Sequence, residues 1–159
     1  MKSIHLIRHA DAVGGTPDIE RPLSNRGERV CERLASRLET SDDAFVKIFV
    51  SPALRAQSTA RGIIESLGDA NPHWTTDNAL YTFEWPDLLG WLESLGDEHE
   101  SVTIVGHNPA ISELAEFLTG ESLGQVPPCT FIHISTFVSR WSDLYRECGQ
   151  LSRCLYPDG

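Results

Sequence analysis

Short apolar runs alternate along the chain with longer stretches whose apolar residues recur every three to four positions. Ser3 to Ile7 is a β-prone run that stops at Arg8, His9 and Ala10, and Gly14, Gly15 and Pro17 behind it predict a loop. Ser24 or Asn25 is placed to cap a helix in which Val30, Leu34 and Leu38 share one face, flanked by Cys31 and Ala35. The pattern repeats: Val46 to Val50 predicts a buried strand, Ser51 and Pro52 break it, and Ala53 to Leu67 predicts a helix built on Ala56, Ala60, Ile63, Ile64 and Leu67. Trp74 to Tyr81 predicts a third strand, and Pro86 a first helical position ahead of Leu88, Leu89, Leu92 and Leu95, with Gly96 as the stop. Val102 to Val105 is a fourth apolar run, and Pro109 then opens a helix through Ile111, Leu114, Ala115 and Leu118 to Gly120. Beyond Pro127 and Pro128, Thr130 to Val138 and Gln150 to Leu155 predict closing strands, antiparallel at the sheet edge.

This order predicts an α/β fold: a three-layer sandwich with a mostly parallel central sheet, helices on both faces and an antiparallel edge, formed by residues 1–159 as a single domain. Open sheets of this kind bind ligands just outside the carboxyl ends of their strands. Arg8 and His9 follow the first strand, Ser51 to Arg55 the second and Gly106 to Asn108 the fourth, so polar groups remote in sequence are expected on one rim.

Charge narrows the ligand. With 13 basic and 23 acidic residues the formal charge is -10, which repels nucleic acid and anionic membrane surfaces, so an anion site has to be a local cationic pocket. Met1 to Ile7 is too short an apolar stretch for a signal peptide, and no run reaches the ~20 apolar residues of a membrane span, so a cytoplasmic protein is expected. Cys31, Cys129, Cys148 and Cys154 lack the paired spacing of a zinc site and are expected as ordinary thiols.

Arg8 and Arg55 each offer a fixed fork of donors that matches phosphate oxygens, although either is equally open to surface solvation or an ion pair. His9 can attack phosphorus if one ring nitrogen is unprotonated and aimed, which calls for the other to donate to a backbone carbonyl. His107, just before a predicted helix, can donate to a nonbridging phosphoryl oxygen or simply cap that helix, and Asn108 is a further phosphate-binding candidate. His5 and His133 fall within strands and His73 and His99 in loops, away from the strand tips, and are assigned to structure or solvent. No helical zinc pair and no glycine-rich loop followed by lysine and Ser/Thr is present, so neither a metal nor a nucleotide cofactor is expected. Ser51 lacks the Gly-x-Ser-x-Gly elbow of a serine hydrolase, and Gly14 and Gly15 precede no immediate helix start.

Leu6, Ile7, Arg8, His9 and Ala10 resemble the signature of the histidine phosphatase superfamily, also called phosphoglycerate mutase-like. Arg21, Pro22, Leu23, Ser24 and Gly27 resemble its second block, Ser51 to Ala56 its third, and Val105 to Pro109 its last, in the same order across most of the chain. The resemblance implies that His9 is the phosphorylated nucleophile, that Arg8, Arg55 and His107 bind the phosphoryl group, and that no metal is needed. The sequence departs from the pattern in two places. Ala10 stands where glycine is commonest, and the proton-donor glutamate that many relatives carry soon after a Leu-Tyr pair is shifted here, so that Glu84 follows Leu80, Tyr81, Thr82 and Phe83.

Asp11 and Asp18 are alternative proton sources. The run Arg8 to Asp11 is similar to that of short bacterial phosphohistidine phosphatases acting on histidine phosphotransfer domains, and an imidazole leaving group makes a weak acid position tolerable. Only 51 residues lie between Arg55 and His107, too few for a large lid, so an open pocket that admits a phosphorylated protein side chain is expected. The alternatives are a phosphatase of small phosphomonoesters or phosphoramidates, and a noncatalytic phosphate-sensing module.

Overall fold

The computed structural model describes residues 1–39 and 47–157. Its six strands are β1 (Ser3–Arg8), β2 (Ile48–Val50), β3 (Thr75–Thr76), β4 (Ser101–Gly106), β5 (Phe131–Thr136) and β6 (Gly149–Leu155), joined in one sheet of order β3-β2-β4-β1-β5-β6. The β3-β2, β2-β4 and β4-β1 pairs are parallel, whereas β5 runs antiparallel to both β1 and β6. The predicted α/β sandwich with an antiparallel edge is therefore the observed one.

The helices are α1 (Asn25–Glu39), α2 (Leu54–Ser66), α3 (Trp85–Glu93) and α4 (Ala110–Thr119). Strand periodicity sorts the core into two layers. Ile4, Leu6, Val102, Ile104, Ile132 and Ile134 face α3 and α4, in a cluster with Leu88, Leu92, Ile111 and Leu114. Ile7, Val50, Val105 and Phe131 face the other way, onto Val30 and Leu34 of α1 and Ala56, Ala60 and Ile63 of α2. Burying both faces is what a parallel sheet requires, and it explains why β1 and β4 read as nearly continuous apolar runs.

Three expectations need correction or adjustment. The strand predicted over Trp74 to Tyr81 shrinks to Thr75–Thr76, because the Asp77 carboxylate accepts from the Ala79 N–H at 3.0 Å and turns Asn78–Leu80 into a 3-10 turn. Helix α3 ends at Glu93 rather than at Gly96: Ser94 caps it, and the Ser94 hydroxyl donates to the Trp91 carbonyl at 2.7 Å. Of the two proposed caps for α1, Ser24 does the capping, its Oγ accepting from the Gly27 N–H at 3.0 Å. Val46, assigned to the second strand, lies outside the described residues.

Candidate active site

Backbone hydrogen bonds bring the tips of the central strands to one rim. The His9 N–H donates to the Gly106 carbonyl, the Ser51 N–H to the Val105 carbonyl, and the Cys129 N–H to the Arg8 carbonyl at 2.9 Å. Thr59 ties the first junction to the second: its hydroxyl accepts from the Ala10 N–H at 2.9 Å and donates to the Arg55 carbonyl at 2.7 Å. His9, Arg55 and His107 thereby meet although they come from three separate parts of the chain.

His9 is oriented by its own neighbour. Its Nδ1–H donates to the Ala10 carbonyl at 2.8 Å, which leaves Nε2 as the unprotonated nitrogen facing Arg55 Nε at 3.3 Å. Burial pushes the ring down to about 4, and the positive charges of Arg55, Arg8 and Arg21 act in the same direction while the Ala10 bond opposes them. The ring is consequently neutral, and its free lone pair nucleophilic, across the physiological range.

His107 is 1% exposed, and burial, followed by the fields of His9 and Arg55, lowers it to about 3. Its Nε2 lies 2.8 Å from Ser51 Oγ and its Nδ1 3.4 Å from Arg55 Nη2. Arg55 can only donate, so Nδ1 accepts in this arrangement and the Nε2–H donates to Ser51 Oγ; because the hydroxyl can donate as well as accept, it can also hold the other tautomer, with Nδ1–H presented to a ligand. Sequence reasoning considered Ser51 only as a nucleophile and missed this orienting role, which no sequence pattern reveals without knowing that positions 51 and 107 touch.

Arg8 is anchored by Nη1 donating to the Val126 carbonyl at 2.6 Å, while its Nε is buried without a partner. Burial lowers its pKa, partly offset by Asp11. Asn108 uses its Oδ1 to accept from the Ser112 N–H at 3.1 Å in the first turn of α4. Glu84 is exposed, its backbone N–H bonds to Thr82 Oγ1 at 3.1 Å, and no hydrogen bond links its side chain to His9, Arg55 or His107.

Asp18, Arg21 and Tyr81 join the cluster. The Asp18 carboxylate accepts from Arg55 Nη2 at 2.9 Å, Arg21 Nη1 at 2.9 Å and the Tyr81 hydroxyl at 2.5 Å, and its carbonyl accepts from Arg55 Nη1 at 2.7 Å. The Tyr81 bond, then Arg21, holds this carboxyl well below the usual range. The segment is positioned through Asp11: the Ser24 N–H donates to the Asp11 carbonyl at 2.9 Å and Ser24 Oγ to Asp11 Oδ2 at 2.7 Å. Gly27 is required there, since a Cβ on it would run into the Asp11 carbonyl oxygen.

Among the described residues no three His, Cys, Asp or Glu side chains converge as metal ligands would, and no helix is long and apolar enough to cross a membrane. The pocket holds a neutral imidazole nitrogen beside the Arg55 guanidinium, with the charges of Arg8 and Arg21 near enough to act on it.

Fold and pocket together define the class of the protein, a phosphatase. More narrowly, the chain belongs to the histidine phosphatase superfamily: the family profile, "Histidine phosphatase superfamily (branch 1)", matches residues 4–127. Among solved structures it is similar to SixA from Nakamurella multipartitia, at a TM-score of 0.83 and 23% identity over 99% of this chain and 97% of that one. It is also similar to the protein histidine phosphatase SixA complexed with tungstate, at 0.80 and 21% identity over 98% and 97%. A mycobacterial glucosyl-3-phosphoglycerate phosphatase superposes at 0.66 with 14% identity over 95% and 97%. At these identities the likeness establishes the fold.

Proposed function

We propose that the protein is a metal-independent phosphatase that works through a phosphohistidine at position 9 and takes protein phosphohistidine as its favoured substrate. His9 Nε2 attacks phosphorus in line, the bond from phosphorus to the substrate breaks, and the leaving group takes a proton from water. Water then attacks the phosphoryl group, the bond to His9 breaks, and inorganic phosphate leaves. Arg8, Arg55 and His107, with Asn108 beside them, stabilise the charge on the transferring oxygens. The observation that carries this reading is the His9 ring, neutral and fixed by its 2.8 Å bond to Ala10, with Nε2 turned into the pocket.

Two features favour phosphohistidine over a phosphomonoester. Among the described residues the three acid candidates are each otherwise engaged: Asp18 is held ionised by its hydrogen bonds, Asp11 accepts from Ser24 Oγ, and the Glu84 side chain makes no hydrogen bond to His9, Arg55 or His107, while an imidazole nitrogen needs less help in leaving than an alkoxide. An exposed apolar side chain also stands beside the pocket: Phe83, whose ring is 5.2 Å from that of His107. Such a side chain suits a protein surface presenting the phosphorylated residue. The neighbours described as SixA support the same substrate class. The likeness to the glucosyl-3-phosphoglycerate phosphatase favours the second reading, a small phosphorylated molecule.

A direct comparison of a phosphorylated histidine phosphotransfer protein with a panel of phosphomonoesters tests the choice, and preference for the monoesters overturns the protein substrate. Labelled substrate followed by an alkaline quench is expected to trap a phosphoprotein that His9→Ala lacks. A noncatalytic phosphate-sensing module would trap nothing and release no phosphate.

A further inference from the structure

Asp18 meets more donors than its own position in the chain demands. Its side chain is 43% exposed and belongs to a 3-10 turn, Asp18–Glu20, that contains no buried residue, yet it reaches inward to the Arg55 side chain, which is 2% exposed. Arg55 follows β2, Tyr81 follows the 3-10 turn after β3, and Arg21 lies in the loop ahead of α1; all three aim N–H or O–H groups at this one carboxylate, within 2.5 to 2.9 Å. The same Arg55 Nη2 that holds Asp18 reaches His107 Nδ1 at 3.4 Å, and Arg55 Nε reaches the nucleophilic nitrogen of His9 at 3.3 Å. A guanidinium whose Nη groups are bonded to Asp18 cannot give those hydrogens to a phosphoryl group.

We propose that Arg21 and Tyr81, together with Arg55, form part of the oxyanion site, and that Asp18 is an internal anion occupying it until the substrate phosphoryl displaces it. The proposal rests on the phosphatase reading and adds to it two binding residues and one competitor. Donor chemistry supports the exchange. Guanidinium forks and a phenolic hydroxyl suit phosphate as well as carboxylate, and a phosphoryl group brings three oxygens and a charge of roughly -1.5 to -2 where a carboxylate brings two oxygens and one charge. Tyr81 is a donor while Asp18 occupies the site, its bond to Asp18, and then burial, raising its pKa. The exposed turn carrying Asp18 buries nothing of its own, so swinging it outward forfeits little packing.

The rival role for Asp18 is a strut that merely orients Arg55, and the two roles predict opposite signs. Affinity for inorganic phosphate, measured by calorimetry on the full chain, is expected to tighten about tenfold in Asp18→Asn, as follows when an internal competitor holds the site closed about nine-tenths of the time. KM for a phosphorylated substrate is expected to fall in the same variant. In the Asp18→Ala background, Arg21→Ala and Tyr81→Phe are each expected to weaken phosphate binding, Arg21→Ala by about tenfold as a charge-assisted bond is lost. Phosphate bound no more tightly, or more weakly, by Asp18→Asn and Asp18→Ala alike overturns the competitor in favour of the strut. An unchanged affinity on adding Arg21→Ala removes Arg21 from the site. These binding outcomes are scored whatever the substrate; the phosphatase reading fails separately, if His9 takes up no label.

Discussion

Ser51 Oγ and His107 Nε2 lie 2.8 Å apart, both buried, at the tips of two adjacent parallel strands. The hydroxyl holds the imidazole in place, accepting from Nε2–H while Nδ1 faces Arg55 and able to donate to Nε2 when Nδ1 carries the proton. Ser51→Ala is expected to lower kcat about tenfold with a smaller change in KM, the effect of losing an orienting hydrogen bond of ~1–1.5 kcal/mol. Steady-state kinetics beside a urea titration separate this from instability, and an unchanged kcat would show that His107 needs no such orientation.

Arg55 touches His9, His107 and Asp18 at once and is 1% exposed. Arg55→Ala is expected to cost on the order of 10² to 10³ in kcat, because a buried donor preorganised toward developing charge is removed. Arg55→Lys is expected to recover only a small part, since a point charge cannot bridge three partners in a plane. Turnover close to wild type in the alanine variant would sink the clamp.

The depressed pKa values give a pH signature with a definite sign. His9 and His107 bind a proton near 6.5 when unfolded but only at about 4 and about 3 when folded. Between those limits the unfolded chain holds more protons, so stability falls as pH drops from about 6.5 toward 4 and is retained above it. Asp18, depressed from 3.8, acts in the same direction but only below its unfolded value, outside that window. Urea midpoints near pH 7 and pH 5 test this: His9→Asn should flatten the slope between them. Equal slopes in wild type and variant would place the titration elsewhere. In the active protein, kcat/KM is expected to fall only as pH approaches about 4, where the nucleophile protonates.

Gly27 sits against the Asp11 carbonyl oxygen, a backbone atom that cannot step aside as a side chain would. Gly27→Ala is expected to destabilise the chain by about 1–3 kcal/mol through overpacking and to loosen the Asp11–Ser24 contacts that position Asp18 and Arg21. Denaturant unfolding reads the first effect and phosphate affinity the second. A variant as stable as wild type would show that the loop can shift at no cost.

The α/β order was legible because β1 and β4 are buried on both faces and read as continuous apolar runs, while α1, α2 and α4 each bury one stripe. Trp74 to Tyr81 misread because Asp77 uses its side chain to satisfy a backbone N–H and so turns the chain, a local competition that apolar content does not report. His9 and Arg8 were legible as a polar tip on the first strand. The Asp18 contacts were not, for they join positions 18, 21, 55 and 81 across loops with no periodicity.

By itself, then, the sequence determined the alternation of elements, the rim on which the polar groups fall and the residue types able to handle phosphate, since these depend on local pattern and on the rule that sheets bind ligands at their carboxyl ends. Only the tertiary structure decided which donors meet which acceptors: that Ala10 orients His9, that Ser51 orients His107, and that Asp18 fills the arms of Arg55. A hydrogen bond depends on distances of a few tenths of an ångström between groups remote in the chain, and those distances are set only once both faces of the sheet are packed.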